Sequence, residues 1–250
     1  MKHCHFSILY NELPFLKQKL SFLYKHFDQL IFYDLNINTF EFSNDGSHEF
    51  IKNFPDPENK ITLIEQKNLL SAINFHGKSF VQKKQMFAIG SLYIKNNIDI
   101  FWCTDLDEFF NKQLIKDIEY IYKTTDSNTI LIPHIIYYKN ENYILPGKEN
   151  TGVSRLPYAR IMKYNPGRIF GHCEDGQDPI FIFDNNYLYH FAFIGNKRMK
   201  FKSELYEKEN FYTEWKNFNF DKSNCIISQY TIPEYINIKE MMNDLNIDLD

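Results

Sequence analysis

Through residues 1–137 the sequence alternates short apolar runs with longer stretches of helical period, and this alternation restricts the fold more than any other feature. Residues 5–10 form an apolar run closed by Asn11 and Glu12, which predicts a buried strand. Residues 14–26 carry Phe15, Leu16, Leu20, Leu23 and Tyr24 on one helical stripe, with Pro14 in the first turn. Strands are then predicted over 29–34, ending in Asp34, over 61–65 and over 98–103, with helices over 47–54, 80–96 and 114–122 and a further strand over 129–137. Strands alternating with helices imply an α/β fold, a mostly parallel sheet with helices on both faces and right-handed crossovers. Ligands of such sheets bind beyond the carboxyl ends of the strands. That rule singles out Asn11 with Glu12, Asp34, and Asp105 with Asp107.

The chain has 250 residues, 44% of them hydrophobic, 17% aromatic and 24% charged, which is ordinary globular composition and excludes disorder over most of its length. A net charge of −4 argues against nucleic acid as the main partner. No run of eighteen apolar residues occurs and the N-terminal apolar run is broken by Asn11 and Glu12, so neither a membrane span nor a signal peptide is expected. A cytoplasmic protein follows, in the host cytoplasm if the source is viral, with peripheral membrane association left open. Cys4, Cys103, Cys173 and Cys225 contain no CxxC pair and are expected as buried thiols.

Beyond residue 137 the pattern loosens. Residues 140–155 read as a loop, 159–164, 180–183 and 187–193 as shorter strands, and Asn185-Asn186 as a hairpin turn between the last two. A basic helix is expected over 197–208, and residues 240–250 read as either a short acidic helix or a frayed end. The expected organisation is a single domain over 1–215, made of a 1–137 half and a smaller β/α extension over 138–215, followed by a C-terminal extension over 216–250.

The most informative local feature is Asp105-Leu106-Asp107-Glu108-Phe109, directly after the apolar run Ile100-Phe101-Trp102. A turn starting there lets both aspartates face one hard cation, whose remaining positions are open to phosphate oxygens. The plainer alternative is a helix start with acids at the positive end of the dipole. An aspartyl-phosphatase motif wants Thr or Val where Phe109 stands, an EF-hand wants further oxygen ligands and a glycine, and a P-loop wants GxxxxGK[ST]; all are missing.

Tyr10-Asn11-Glu12 after the first strand, the helix over 14–26, the run QLIFYDLN and the run FWCTDLDEFF, in that order, resemble the GT-A nucleotide-sugar glycosyltransferases. The resemblance is nearest to family-2-type enzymes and to the related group with a DLDEF motif, and it covers roughly residues 4–210. It implies a GT-A fold in which Asp105 and Asp107 hold Mn²⁺ or Mg²⁺ on a nucleoside diphosphate, UDP being favoured. It further implies that Tyr10, Asn11 and Glu12 line the nucleotide pocket, that Asp34 contacts base or ribose, and that Lys83, Lys84 and Gln85 supply nucleotide or phosphate contacts.

The same resemblance places the acceptor side in the second half. Glu174-Asp175 resembles an acidic pair that removes the acceptor hydroxyl proton, with Asp175 preferred over Glu174. His190, at the end of an apolar strand, is the expected third metal ligand. Lys197, Arg198, Lys200 and Lys202 follow, with 198 and 202 on one helical face; that face can stabilise a diphosphate or lie solvated. The four arginines, Arg155, Arg160, Arg168 and Arg198, all lie in this half and suit an anionic ligand. Tyr137, Tyr138, Tyr143, Tyr158 and Tyr164 flank the 140–158 segment, the candidate acceptor loop. The expectation is a metal-dependent, inverting transfer of a sugar from a UDP-sugar to a glycan or other hydroxyl. Its rivals are an inactive nucleotide-binding scaffold and a sugar nucleotidyltransferase.

Overall fold

The structure, a computed structural model, describes residues 1–36, 39–67, 78–145, 153–154, 161–166, 180–182, 187–205, 211–217, 226–228 and 231–245. The chain divides into two compact units. The first holds Met1–Leu106, Lys112–Leu131 and Pro157–Phe183; the second holds Asp107–Asn111, Ile132–Leu156 and Asp184–Asp250. The backbone thus passes from one unit to the other five times.

The first unit is an α/β layer. Its strands are β1 (His3–Leu9), β2 (Gln29–Asp34), β3 (Ile61–Ile64), β4 (Ile100–Cys103), β6 (Thr129–Leu131), β9 (Ile161–Lys163) and β10 (Ile180–Ile182), and they pair in the order β10-β6-β9-β4-β1-β2-β3. Every neighbouring pair is parallel except those made by β9, which is antiparallel to both β4 and β6. The expected mostly parallel sheet is therefore present, with β9 inserted as its reversed strand. The helices are α1 (Leu13–His26), α2 (Ser47–Lys52), α3 (Lys78–Ser91) and α4 (Lys112–Thr124). α1 buries Phe15, Leu16, Leu20 and Leu23, and α4 buries Leu114, Ile115, Ile118 and Ile121, both at three- and four-residue spacing. Strands β1, β2 and β4 are wholly or nearly wholly buried, as continuous apolar runs in a covered parallel sheet should be. α3 approaches β1 closely because residue 90 is glycine: a Cβ there would stand 2.1 Å from Cε2 of Phe6.

The second unit carries a five-stranded sheet. β12 (Ile226–Ile227), β7 (His134–Ile144), β11 (Leu188–Ile194) and β5 (Glu108–Phe109) pair in that order, and β8 (Val153–Ser154) also pairs with β7. β11 is parallel to β7 and antiparallel to β5. The helices of this unit among the described residues are α5 (Asn196–Leu205), α6 (Phe211–Lys216) and α7 (Ile238–Asp244). Gly195, at φ 84°, lets the chain turn from β11 into α5.

Three expectations need correction. The strand predicted over 129–137 is two strands in two sheets, β6 and β7, separated by Ile132 and Pro133; proline lacks the N–H that a continuing ladder needs. The segment read as a loop over 140–155 begins as the last residues of β7 and contains β8. β10 and β11 do not form a hairpin, since they belong to different sheets; Asn185 and Asn186 lie outside the described residues. Cys4 and Cys103 are buried thiols, while Cys173 and Cys225 also lie outside the described residues. Among the described residues no helix is long and apolar enough to cross a membrane.

Candidate functional site

Strand order reverses between β1 and β4: β2 and β3 follow β1 on one side, and β4 flanks it on the other. Such a reversal opens a crevice at the carboxyl ends of the two strands, the usual ligand position in open α/β sheets. The residues of this unit that leave those ends are Tyr10-Asn11-Glu12 and Thr104-Asp105.

A buried polar cluster fixes the β4 end. Ser7 Oγ donates to the Thr104 carbonyl at 2.5 Å. Lys19 Nζ donates to Thr104 Oγ1 at 3.2 Å and to the Asp105 carbonyl at 2.8 Å, and the Thr104 hydroxyl lies 2.7 Å from Nε2 of His5. Lys19 and His5 are fully buried. Burial, followed by the positive charge of Lys19, holds the His5 pKa well below its ordinary value, so its imidazole is neutral. A neutral Nε2 can accept the Thr104 proton while the Thr104 oxygen accepts from Lys19. The signal for Lys19 was present in the sequence: it falls on the stripe of Leu16, Leu20 and Leu23, where a lysine is out of place unless it has a task.

The β1 end is tied to the loop after β2. Asn11 adopts φ 53°, its N–H donates to Ser43 Oγ at 3.1 Å, and its Oδ1 accepts from Asn44 N–H at 3.0 Å. The Glu12 N–H donates to Ser47 Oγ at 3.1 Å and that of Leu13 to Asp45 Oδ2 at 3.0 Å. Tyr10 is half-buried beside them. Asp34 is fully buried, accepting from the N–H and the hydroxyl of Ser43 at 3.0 and 2.7 Å, with His48 Nδ1 2.5 Å from its other oxygen. His48 Nε2 in turn lies 3.1 Å from Glu65. The Asp34 carboxylate therefore faces this loop and helix α2, and organises them. Lys84 stands half-buried on α3.

The second unit holds the other polar concentration. Asp107 is 3% exposed. Arg198 Nη2 makes a short contact with its Oδ2, Lys202 Nζ lies 3.6 Å from the same oxygen, and His190 Nε2 lies 3.5 Å from it. Arg198 and Lys202, four residues apart on α5, present one face, as their spacing predicts. Burial pushes the Asp107 carboxyl up, but Arg198, then His190 and Lys202, outweigh it and hold the pKa well below the usual carboxylate range. Beside this pair, Glu108 on β5, His134 on β7 and His190 on β11 bring one donor atom each to within 4.8 Å of one another. Glu108 and His134 are fully buried. Sequence reasoning passed over both, because a Glu in an acidic run and a His in a strand become partners only through the pairing of β11 with β5 and β7.

Asp105 belongs to the first unit, Asp107 and His190 to the second. The charge around Asp107 does not fit a divalent cation on its carboxylate, because two buried cationic side chains already converge on one of its oxygens. Lys197 falls in α5, and Glu174 and Asp175 lie outside the described residues.

No family model matches the sequence, and no curated protein matches it. Among solved structures the chain is similar to the Staphylococcus aureus TarS 1–349 structure, at 14% identity and a TM-score of 0.47, over 89% of this chain and 73% of that one. A longer TarS structure gives 15% identity and a TM-score of 0.47, and there the chain spans 44% of its length. The TarS 1–349 structure in complex with UDP-GlcNAc gives 13% identity and a TM-score of 0.47, over 89% of this chain and 74% of that one.

Proposed function

We propose that the chain is a nucleotide-sugar glycosyltransferase, moving a sugar from a UDP-sugar to a glycan or other hydroxyl acceptor with inversion. The observation that carries this reading is the strand-order reversal between β1 and β4, with Asp105 leaving β4 on a backbone held by Ser7 and Lys19. In this reading Tyr10, Asn11 and Glu12 line the nucleotide, with Lys84 as a further contact. Asp34 acts through Ser43 and His48 by holding the loop beside them.

The reaction balances simply. The acceptor oxygen bonds to the anomeric carbon while the bond from that carbon to the diphosphate oxygen breaks, its electron pair leaving with UDP. The acceptor proton passes to a carboxylate, Asp175 before Glu174. Positive charge aimed at the departing diphosphate lowers the barrier because that charge grows in the transition state.

Calorimetry with UDP and GDP on the intact chain and on Asp105→Asn tests the reading, paired with a scan of UDP-sugars for release of UDP. The expected result is UDP binding in the low micromolar to millimolar range, lost in the variant, with UDP released in the presence of an acceptor. A folded chain that binds neither nucleotide overturns the proposal. Binding without turnover replaces it with the scaffold reading, and release of diphosphate with the nucleotidyltransferase reading.

A further inference from the structure

We propose that Glu108, His134 and His190 form a binding site for a borderline divalent metal ion, zinc first, distinct from the Asp105–Asp107 pair. The site follows from the pairing of the second sheet. β11 is a central strand with β5 on one side and β7 on the other. Glu108 stands directly opposite His190 in the antiparallel pair, and His134 stands opposite Leu188, two residues from His190. Side chains alternate faces with period two, so a directly opposed residue and its two-residue diagonal neighbour share one face. Three strands therefore deliver a carboxylate and two imidazoles to one spot.

The donor geometry is near what a metal needs. The three donor atoms lie within 4.8 Å of one another, and His134 Nδ1 is 3.8 Å from Glu108 Oε1. A tetrahedral ion about 2.0–2.1 Å from each donor would set them about 3.3–3.4 Å apart, so side-chain adjustments of well under 1.5 Å close the site. Two imidazoles with one carboxylate are the donor set of catalytic zinc and of non-haem iron sites, with positions left for water or substrate. Mg²⁺ prefers oxygen donors and is a poor match.

The surroundings match as well. Glu108 is fully buried, and a cation held against a buried carboxylate stabilises it. His190 turns Nε2 toward the Asp107 carboxylate at 3.5 Å, and its Nδ1 is buried with no hydrogen-bond partner among the described residues. A carboxylate on one ring nitrogen of a histidine, fixing its tautomer and leaving the other for a metal, is the usual outer-shell arrangement of metal-bound imidazole. Arg198 and Lys202 hold Asp107 in that position. Asp107 thus becomes a positioning residue here, which its charge balance allows and direct ligation does not.

The test needs neither donor nor acceptor, so its failure is separate from failure of the transferase reading. Chelator-stripped protein is titrated with Zn²⁺ and separately with Mg²⁺, and bound metal is counted after gel filtration. About one equivalent of Zn²⁺ is expected, with Mg²⁺ washed away. Glu108→Gln and His134→Gln should each weaken Zn²⁺ binding at least 100-fold, and Asp105→Asn should leave it unchanged. X-ray absorption at the zinc edge of the unmodified protein should count two imidazoles, a readout independent of whether the variants fold. A site with fewer than two imidazoles, zinc lost in Asp105→Asn, or no retained zinc at all overturns the proposal; the last outcome leaves Glu108 and His134 as buried neighbours within the sheet.

Discussion

Asp107 neutralises two buried cations with one side chain, and its removal has consequences beyond the lost hydrogen bond. Asp107→Asn keeps the shape but leaves Arg198 and Lys202 buried against a neutral amide. Loss of one member of a buried ionic cluster costs about 3–5 kcal/mol, and urea denaturation is expected to report a loss of that order. A change below about 1 kcal/mol would mean that water reaches the cluster. His5 gives a second prediction. Its folded pKa is depressed below the ordinary histidine value of about 6.5, so the folded state binds fewer protons than the unfolded chain between those two values. Stability is then full above about pH 6.5 and falls as pH drops below it. Melting temperatures from pH 5 to 8 should show this slope, and His5→Gln should flatten it. The residue scale was only partly legible in the sequence. Lys19 was passed over although a charge on an apolar stripe marked it, whereas His134 and Glu108 gave no sign, because their meaning depends on which strands become neighbours.

At the scale of elements, local pattern served well wherever one period ran uninterrupted. β1, β2, α1 and α4 lie within a few residues of where alternation and helical spacing put them. It failed where a single residue redirected the chain. Pro133 splits one apolar run between two sheets, and β9 inserts antiparallel between β4 and β6 from a distance that no local window spans. The α3–β1 contact offers a test of packing. Phe6 is fully buried, with the rings of Phe87 and Phe101 centred 4.6 and 6.2 Å away, so it has little room to yield to a methyl group on residue 90. Gly90→Ala gains about 1 kcal/mol of helix propensity and is still expected to destabilise by about 1–3 kcal/mol through overpacking. A raised denaturation midpoint would show that α3 can shift outward at little cost.

For the whole molecule, the two units differ in what they need from the C-terminal part of the chain. Among the described residues, the seven strands of the first sheet lie before residue 184, whereas the second sheet takes its central strand, β11, from beyond it. A fragment of residues 1–183 is expected to retain hydrogen-exchange protection in β1, β2 and β4 while β7 exchanges freely and binds a hydrophobic dye. Protection of β7 in that fragment would mean that the second sheet closes without its central strand.

The five passages of the backbone between the units also bear on how such a molecule can change over generations. No single breakpoint in the gene separates one unit from the other, because each is stitched from three stretches of sequence. A crossover anywhere between residues 107 and 183 delivers an incomplete version of both. The two units are therefore inherited as one block, and a new specificity in either must arise by substitution within the chain, since neither can be exchanged as a cassette.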